Sequence, residues 1–360
     1  MIRVGILTSG GDCQGLNAAI RGVGKALYLK FGNEVSIYGI RDGYRGLIEN
    51  DTYLMKPADF SGIINLGGTI LGTSRTPFKM LNSGTDEANA KIENMKKTYK
   101  KLALDCLVIL GGNGTHKTAN LLRKEGLNLV TLPKTIDNDL WGTDITFGFH
   151  SAVAVAANVL DSIHTTATSH GRVFVVEVMG HKAGWMTLYA GIAGSANAIL
   201  LPEIPYNIDV FADMIKERTK RGKRFSIIAV AEGALDQDEA KLSKKEFKAK
   251  RAAETQYPSI AYRIAHDLEE RTGHETRVAV PGHIQRGGAP VAYDRLLSTR
   301  FGAAAAELIA EKNYGRMVAI VKNKLTSVPL EEVAGKLKTV PTDFEVIQTA
   351  RDIGISFGDR

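Results

Sequence analysis

Apolar and polar positions along the chain fall into two alternating kinds of stretch. Short apolar runs predict strands over Ile2–Leu7, Val35–Ile40, Leu104–Leu110 and Leu127–Leu132. Longer, partly charged stretches predict helices over Leu16–Leu29, Asp86–Lys101 and His116–Lys124, with a loop region after Ile40. A long helical stretch, His150–His164, leaves this first set. A second series follows: strand Val173–Val178, a helix from about Trp185, strand Ala198–Leu201, helix Asp209–Arg221 and strand Phe225–Ala231. Helix Ser259–Arg271 and strand Thr276–Pro281 follow, and Ala289–Ala310 reads as a helix-rich return to the first set. Strands alternating with helices predict parallel sheets covered by helices on both faces, so the expected fold class is α/β.

Length and composition add limits. The 360 residues suit two packed lobes, and 44% hydrophobic content is enough for sizeable cores. The segment Ala234–Pro258 is polar and lysine-rich and reads as an insertion with a helix, not a separate domain. No apolar stretch approaches the roughly 20 residues that span a bilayer. The opening MIRVGILTSG begins a strand at once, without a basic-then-apolar leader, so a cytosolic address is expected. The two cysteines, Cys13 and Cys106, give neither a disulfide framework nor zinc spacing. Cys106 reads as a small core residue, and Cys13 as inert unless exposed. Net charge is +7, with much of the excess in Lys216–Arg224 and Lys241–Arg251. Those runs read as solvated helical faces; aromatics are too sparse for base stacking, and no nucleic-acid recognition motif is present. A basic surface does raise the local concentration of small anions.

Candidate chemistry gathers after strands. The run PKTIDND, Pro133–Asp139, packs Lys134, Thr135, Asp137 and Asp139 into one turn behind the strand Leu127–Leu132. A cation, a hydroxyl and two carboxylates in one loop are what phosphoryl transfer needs: charge for phosphates, a base for the attacking hydroxyl, an anchor for metal. Two glycine loops, Thr8–Asp12 and Gly111–Thr115, each lie between a strand and a helix. Such loops let backbone N–H groups approach an anion at a helix N-terminus. Either loop alone is equally well a tight turn. Two of them plus the carboxylate turn, all at strand C-termini, point to a ligand edge of a parallel sheet. A fourth motif, Gly282–Gly288 (GHIQRGG), offers His283 and Arg286 to a sugar phosphate, or is a glycine-rich turn with a solvated arginine.

These motifs carry a resemblance. TSGGDCQGLNAAIRG near the start, GTSRTPFK at Gly72–Lys79, GGNGT, PKTIDND, VEVMG at Val176–Gly180, and GHIQRGG followed by AYDR resemble the phosphofructokinase family, in the family's order and over nearly the whole chain. The resemblance implies two similar Rossmann-like lobes with mainly parallel sheets and a cleft between them. A donor lobe would comprise 1–148 plus about 285–335, and a sugar-phosphate lobe 149–284 plus about 336–360, with the insertion near 234–258. It implies phosphorylation of fructose 6-phosphate on its 1-hydroxyl, with ATP as donor and Mg²⁺ as cofactor, in a cytoplasmic glycolytic enzyme. Nucleic-acid and membrane partners are not expected.

Roles implied by the resemblance are as follows. Asp137 is the base, Arg75 stabilises charge on the moving phosphoryl group, and Lys134 belongs to the catalytic set. Gly11, Tyr44, Arg75, Thr76, Gly112, Asn113, Gly114 and Thr115 match the nucleotide site. Thr135, Ile136, Asp137, Met179, Gly180, His181, Glu232, His283 and Arg286 match the sugar-phosphate site. Arg172 and Arg277 match arginines lent to a neighbouring subunit's substrate, which implies a homo-oligomer, dimer or tetramer. Asp139 and Asn113 would hold the metal, although the commoner family residue at 113 is Asp, and Asn is a weaker ligand. Pyrophosphate-dependent members carry an acidic residue where this chain has Gly114, which favours ATP; Lys134 is typical of that other lineage, so pyrophosphate is the alternative donor. A non-catalytic subunit with the same fold is a further alternative. His164 and Asn197 stand where an arginine and an acidic residue bind regulators in classical bacterial members, which puts that control in doubt.

Overall fold

A computed structural model describes residues 1–253 and 256–360, so residues 254 and 255 of the expected insertion lie outside the described residues. Eleven strands are present among them: β1 Ile2–Thr8, β2 Val35–Ile40, β3 Thr52–Met55, β4 Cys106–Gly111, β5 Leu129–Pro133, β6 Val173–Val178, β7 Ala198–Leu200, β8 Ser226–Ala231, β9 Thr276–Ala279, β10 Arg316–Val321 and β11 Lys324–Pro329. The chain forms two compact units. One comprises Met1–Ile136, Leu140–Ser151 and Arg286–Leu337; the other comprises Asp137–Asp139, Ala152–Gln285 and Lys338–Arg360.

The first unit holds a seven-stranded sheet in the order β11-β10-β5-β4-β1-β2-β3. Its five inner strands are parallel, and β3 and β11 pair antiparallel at the two edges. All six residues of β4 are buried, as a strand covered on both faces requires. Leu7, Ile40, Leu107, Ile109 and Leu129 meet Ala119 and Leu122 of the helix Asn113–Lys124 in one core. The helix Asp86–Lys101 starts where Thr85 Oγ1 accepts from Ala88 N, carries Asp86 and Glu87 in its first turn and ends on Lys100 and Lys101, matching its dipole at both ends.

One helix contact places a distant segment. A Cβ on Gly22 would lie 2.9 Å from the Thr299 carbonyl, and one on Gly302 would lie 2.6 Å from the Ala19 carbonyl. The helices Leu16–Phe31 and Ala292–Ala310 therefore pack backbone to backbone, which brings the segment from Arg286 onward to the first glycine loop.

The second unit holds a four-stranded, all-parallel sheet in the order β7-β8-β6-β9. Its core joins Val173, Val175, Leu200, Ile228 and Val230 to Phe211 and Ile215 of the helix Ile208–Lys220 and Ile264 and Leu268 of the helix Ile260–Thr272. The expected insertion contributes a short 3₁₀ turn, Glu239–Lys241, and the helix Lys244–Ala253. It is anchored by a buried carboxylate: Arg263 donates to both oxygens of Glu239 at 2.8 and 3.0 Å. The two sheets share the parallel α/β plan but differ in strand number and in their edges. Among the described residues no helix is long and apolar enough to cross a membrane.

Candidate active site

Three loops at the C-terminal edge of the seven-stranded sheet are stitched together by threonine hydroxyls and one N–H donating to their carbonyls. Thr73 Oγ1 donates to the Gly10 carbonyl at 2.7 Å, and Gly10 N donates to the Ser74 carbonyl at 3.1 Å. Thr8 Oγ1 donates to the Gly72 carbonyl at 2.7 Å, and Thr115 Oγ1 to the Ser9 carbonyl at 3.3 Å. Gly10 takes φ +85°, a turn that side chains resist. The segment Gly72–Thr76 thus lies beside Gly10–Gly11, with the loop Gly112–Thr115 against Ser9. Thr76 is half-buried in it, whereas Arg75 is exposed and has no side-chain partner among the described residues. The helix Asn113–Lys124 starts at Gly112 with no side-chain cap, which leaves its first N–H groups available to an anion. It begins three residues before the expected His116, because the glycine loop itself forms the first turn.

Two predicted residues prove to lie inside this scaffold. Tyr44 is 1% exposed, packs in the core and donates its hydroxyl to the Thr115 carbonyl at 2.8 Å. Its place is beneath the loop, as a support. Lys134 is 3% exposed and donates Nζ to the Gly11 carbonyl, so the lysine of PKTIDND reaches back to the first glycine loop. Gly112 packs over the same turn: a Cβ there would lie 3.6 Å from the Lys134 carbonyl. Gly114 is exposed, and a Cβ there would meet nothing within 4 Å.

The PKTIDND turn is anchored along its length. Thr146 Oγ1 donates to the Thr135 carbonyl at 2.8 Å, Lys338 N to the Asp139 carbonyl at 2.8 Å, and Lys338 Nζ to Asn138 Oδ1 at 3.1 Å. Ile136 has a fully buried side chain, so only its backbone can face a ligand. Thr135 and Asp139 are buried and Asp137 is half-buried.

In the second unit, the C-terminal edge of the four-stranded sheet gathers another predicted group. Glu232 Oε1 accepts from Gly180 N at 3.2 Å and His181 N at 2.6 Å. Gln285, fully buried, accepts at Oε1 from Met179 N at 3.1 Å and donates Nε2 to the Gly282 carbonyl. Gly180 sits at φ +149°, where a Cβ would lie 2.6 Å from the Ala183 carbonyl. These bonds fix the Met179–His181 loop beside Glu232. His283 is exposed next to Gln285. Arg286 belongs to the first unit, where its Nη1 donates to the Asp12 carbonyl at 3.0 Å beside Gly11.

Arg172 and Arg277 lie elsewhere in the second unit. Arg172 precedes β6, and Arg277 pairs with Phe174 near its start. Both guanidinium groups bind Glu275, Arg172 Nε at 2.6 Å to Oε2 and Arg277 Nη2 to Oε1. They occupy the N-terminal edge of the sheet, whereas Met179 and Glu232 follow the C-terminal ends of β6 and β8. Six residues of strand separate the two edges, about 20 Å.

The metal candidates supply the hard oxygen donors that Mg²⁺ prefers. Asn113 Nδ2 donates to the Lys336 carbonyl at 2.7 Å, which leaves Oδ1 as the remaining donor; that oxygen is buried and has no hydrogen bond among the described residues. An unpaired buried amide oxygen fits a cation. The Asp139 carboxylate is the second candidate. The one cluster of three metal-ligating side chains among the described residues, His266, Asp267 and Glu270, lies on the helix Ile260–Thr272.

Other expectations also meet their surroundings. Cys13 is fully buried, its thiol pushed up to about 12 by burial, so it is inert. His164 Nε2 lies 3.1 Å from the Gly194 carbonyl, and Asn197 Oδ1 accepts from Ile227 N at 3.0 Å. Both side chains thus bond to backbone within the second unit. Sequence reading missed Gln285 and Asp294. The latter is fully buried and accepts at Oδ2 from Ser151 N at 2.7 Å and Ser151 Oγ at 2.6 Å. Burial raises the Asp294 carboxyl above its ordinary range. Both residues stood inside quoted motifs, GHIQRGG and AYDR, which was the available signal.

Comparison with known proteins gives one answer. The family model described as phosphofructokinase matches residues 3–309. An ATP-dependent 6-phosphofructokinase of Spirochaeta thermophila is 58% identical over 359 residues, covering 99% of this chain and 97% of that protein. An ATP-dependent 6-phosphofructokinase 3 of Bacteroides thetaiotaomicron is 49% identical over 360 residues, covering 99% and 100% respectively. The solved phosphofructokinase structure from Saccharomyces cerevisiae matches with a TM-score of 0.79 at 32% identity, covering 92% of this chain and 45% of the yeast chain. With the ordered motifs and the parallel α/β architecture, these matches establish that the chain belongs to the phosphofructokinase family.

Proposed function

We propose that the chain transfers the γ-phosphoryl group of ATP to the 1-hydroxyl of D-fructose 6-phosphate, giving fructose 1,6-bisphosphate and ADP, as a cytoplasmic enzyme of glycolysis. The observation that carries this reading is the convergence of Gly10–Gly11, Gly72–Thr76, Gly112–Thr115 and Lys134 on one sheet edge in a chain of this family. Backbone N–H groups and the uncapped helix start are suited to the donor phosphates. Arg75, exposed and without a side-chain partner among the described residues, can close onto the phosphoryl group as charge develops. The open space at Gly114 leaves room for a nucleotide α-phosphate, which an acidic side chain would repel. This favours ATP over pyrophosphate, in keeping with the names of the two relatives above.

Asp137 takes the proton of the attacking 1-hydroxyl, and Thr135 binds beside it. Asn113 Oδ1 and the Asp139 carboxylate would hold Mg²⁺, which when bound neutralises charge on the phosphates. Met179, Gly180, His181, Glu232 and His283 bind the sugar; Glu232 both shapes that loop through Oε1 and offers Oε2, which accepts no hydrogen bond among the described residues, to a hydroxyl. Arg286, held at Asp12, adds positive charge. Arg172 and Arg277 serve the 6-phosphate of a neighbouring subunit, because they occupy the sheet edge opposite Glu232. The active form is therefore a homo-oligomer, dimer or tetramer.

The test is direct. Purified protein is mixed with fructose 6-phosphate, Mg²⁺ and either ATP or pyrophosphate, and fructose 1,6-bisphosphate is measured. Turnover with ATP is expected. Turnover with pyrophosphate alone would replace the donor, and none with either would leave a fold without the activity.

A further inference from the structure

We infer that His116 is a positioning residue for the donor phosphates, a role that rests on the reading above and deepens it. The Gly112 carbonyl receives two hydrogen bonds from this one residue: His116 N at 3.0 Å and His116 Nδ1 at 2.8 Å. A carbonyl oxygen has two lone pairs, and both are taken. The Gly112 carbonyl and the Asn113 N–H belong to one planar trans peptide and point in opposite directions. Holding the carbonyl inward along the helix therefore holds the Asn113 N–H outward at the helix start, where an anion binds. Glycine is the residue that most easily lets such a peptide turn over, so the second bond from the imidazole has a task that the backbone bond alone does less well.

The ring's other nitrogen supports this. A carbonyl can only accept, so Nδ1 carries the proton and Nε2 is the bare acceptor in the neutral ring. His116 is 1% exposed, and Nε2 has no hydrogen bond among the described residues. A buried unpaired acceptor destabilises the fold, so leucine would suit the site better if packing alone were required. Burial, with the charge of Lys134 adding to it, lowers the ring's pKa to about 4, which keeps it neutral at working pH. Lys134 treats the first glycine loop in the same way, from its own side, by holding the Gly11 carbonyl. Each loop thus has one carbonyl pinned from beneath by a buried basic side chain.

The experiment compares His116→Leu with His116→Asn. Asparagine places an amide N–H at the depth of Nδ1 and can restore the bond to Gly112; leucine cannot. ADP binding is measured by calorimetry, and KM for both substrates and kcat by steady-state assay. His116→Leu is expected to weaken ADP binding and raise KM for ATP on the order of tenfold, as loss of one well-placed hydrogen bond does. KM for fructose 6-phosphate should stay within about twofold, and His116→Asn should recover most of the loss. Unchanged ADP affinity in His116→Leu, equal damage in both variants, or a parallel rise in both KM values would each overturn the role. A leucine variant that failed to fold leaves the asparagine variant to decide, with near-native ADP affinity expected and a leucine-sized loss overturning the inference. Wild-type protein that bound no ADP would remove the proposed function first, and this inference with it.

Discussion

The C-terminal edge of the seven-stranded sheet and the N-terminal edge of the four-stranded sheet both collect groups suited to phosphate, by opposite means. At the first, carbonyls and hydroxyls of three loops bind one another, and Lys134 and His116 hold two carbonyls from beneath. The charge offered to a ligand there comes mostly from backbone N–H groups that cannot move far. At the second, Arg172 and Arg277 share the single carboxylate of Glu275, on the surface. Two cations and one anion leave an excess of positive charge, carried by side chains and not by backbone. On the proposed reading the backbone-built site is complete within one chain, whereas the arginine cluster is half a site that a neighbouring subunit completes. The two should therefore fail differently when altered.

The largest effect is expected between these regions in kind, at the reacting hydroxyl. Asp137→Ser would remove the proposed base while leaving the proposed phosphate anchors untouched. Loss of a general base costs about 10²–10⁴-fold in kcat, with both KM values within a few-fold. Steady-state assays at neutral pH check this, and a variant within a few-fold of wild type would assign the base elsewhere. Arg172→Ala comes next. A charge-assisted contact is worth about 1.5–3 kcal/mol, so KM for fructose 6-phosphate should rise roughly 10- to 100-fold and KM for ATP little. Dilution sharpens the comparison: if the proposed oligomer dissociates, specific activity should fall. A fully active monomer, or a defect confined to the nucleotide, would dissolve the half-site reading.

Much of this was legible in the sequence, and unevenly. The strands Val35–Ile40 and Val173–Val178 and the helix Asp86–Lys101 match their expected ends residue for residue, because a buried run or a capped, charge-biased helix writes its limits locally. The edge strands β3 and β11 were not expected: they are short or exposed, so their apolar pattern is weak. Motif order located the glycine loops and the carboxylate turn. It did not show that Tyr44 lies under a loop, since tyrosine suits a core and a surface alike. Nor did it show Arg286 against Asp12, a contact across 274 positions that depends on the close packing of the helices at Gly22 and Gly302. His116 left only a faint trace, four residues after a helix-starting glycine.

The donor edge can also be challenged by adding charge. Gly114→Asp puts a carboxylate in open space at the first turn of a helix, where it fits and where the helix dipole favours it. Folding should therefore be unharmed, with stability up by about 0.3–1 kcal/mol. The same carboxylate would repel a nucleotide α-phosphate, so the ratio of kcat/KM for ATP to that for pyrophosphate should fall, by about tenfold if the repulsion is near 1.4 kcal/mol. Both donors are measured side by side at saturating fructose 6-phosphate. A ratio that held or rose would show that Gly114 does not gate the donor.

The smallest expected effect gives the finest test of the half-site. The hydrogen bond from Arg172, with the nearby charges of Arg172 and Arg277, holds the Glu275 carboxyl below the usual carboxylate range. It therefore stays ionised throughout the assay range, and pH cannot be used to remove its charge. Glu275→Gln removes it while keeping the side-chain shape. Exposed ion pairs contribute little to folding, so thermal stability should be nearly unchanged. The two arginines then lose a competing anion, and their attraction for a substrate 6-phosphate grows. KM for fructose 6-phosphate should fall by no more than about threefold and become more sensitive to salt, since the excess charge is exposed. KM for ATP should not move, because the donor loops share no partner with Glu275. If KM for the sugar instead rose as far as in Arg172→Ala, Glu275 would be holding the arginines in their working positions. The edge would then be as preorganised as the donor loops, and the contrast between the two regions would narrow to side chain against backbone.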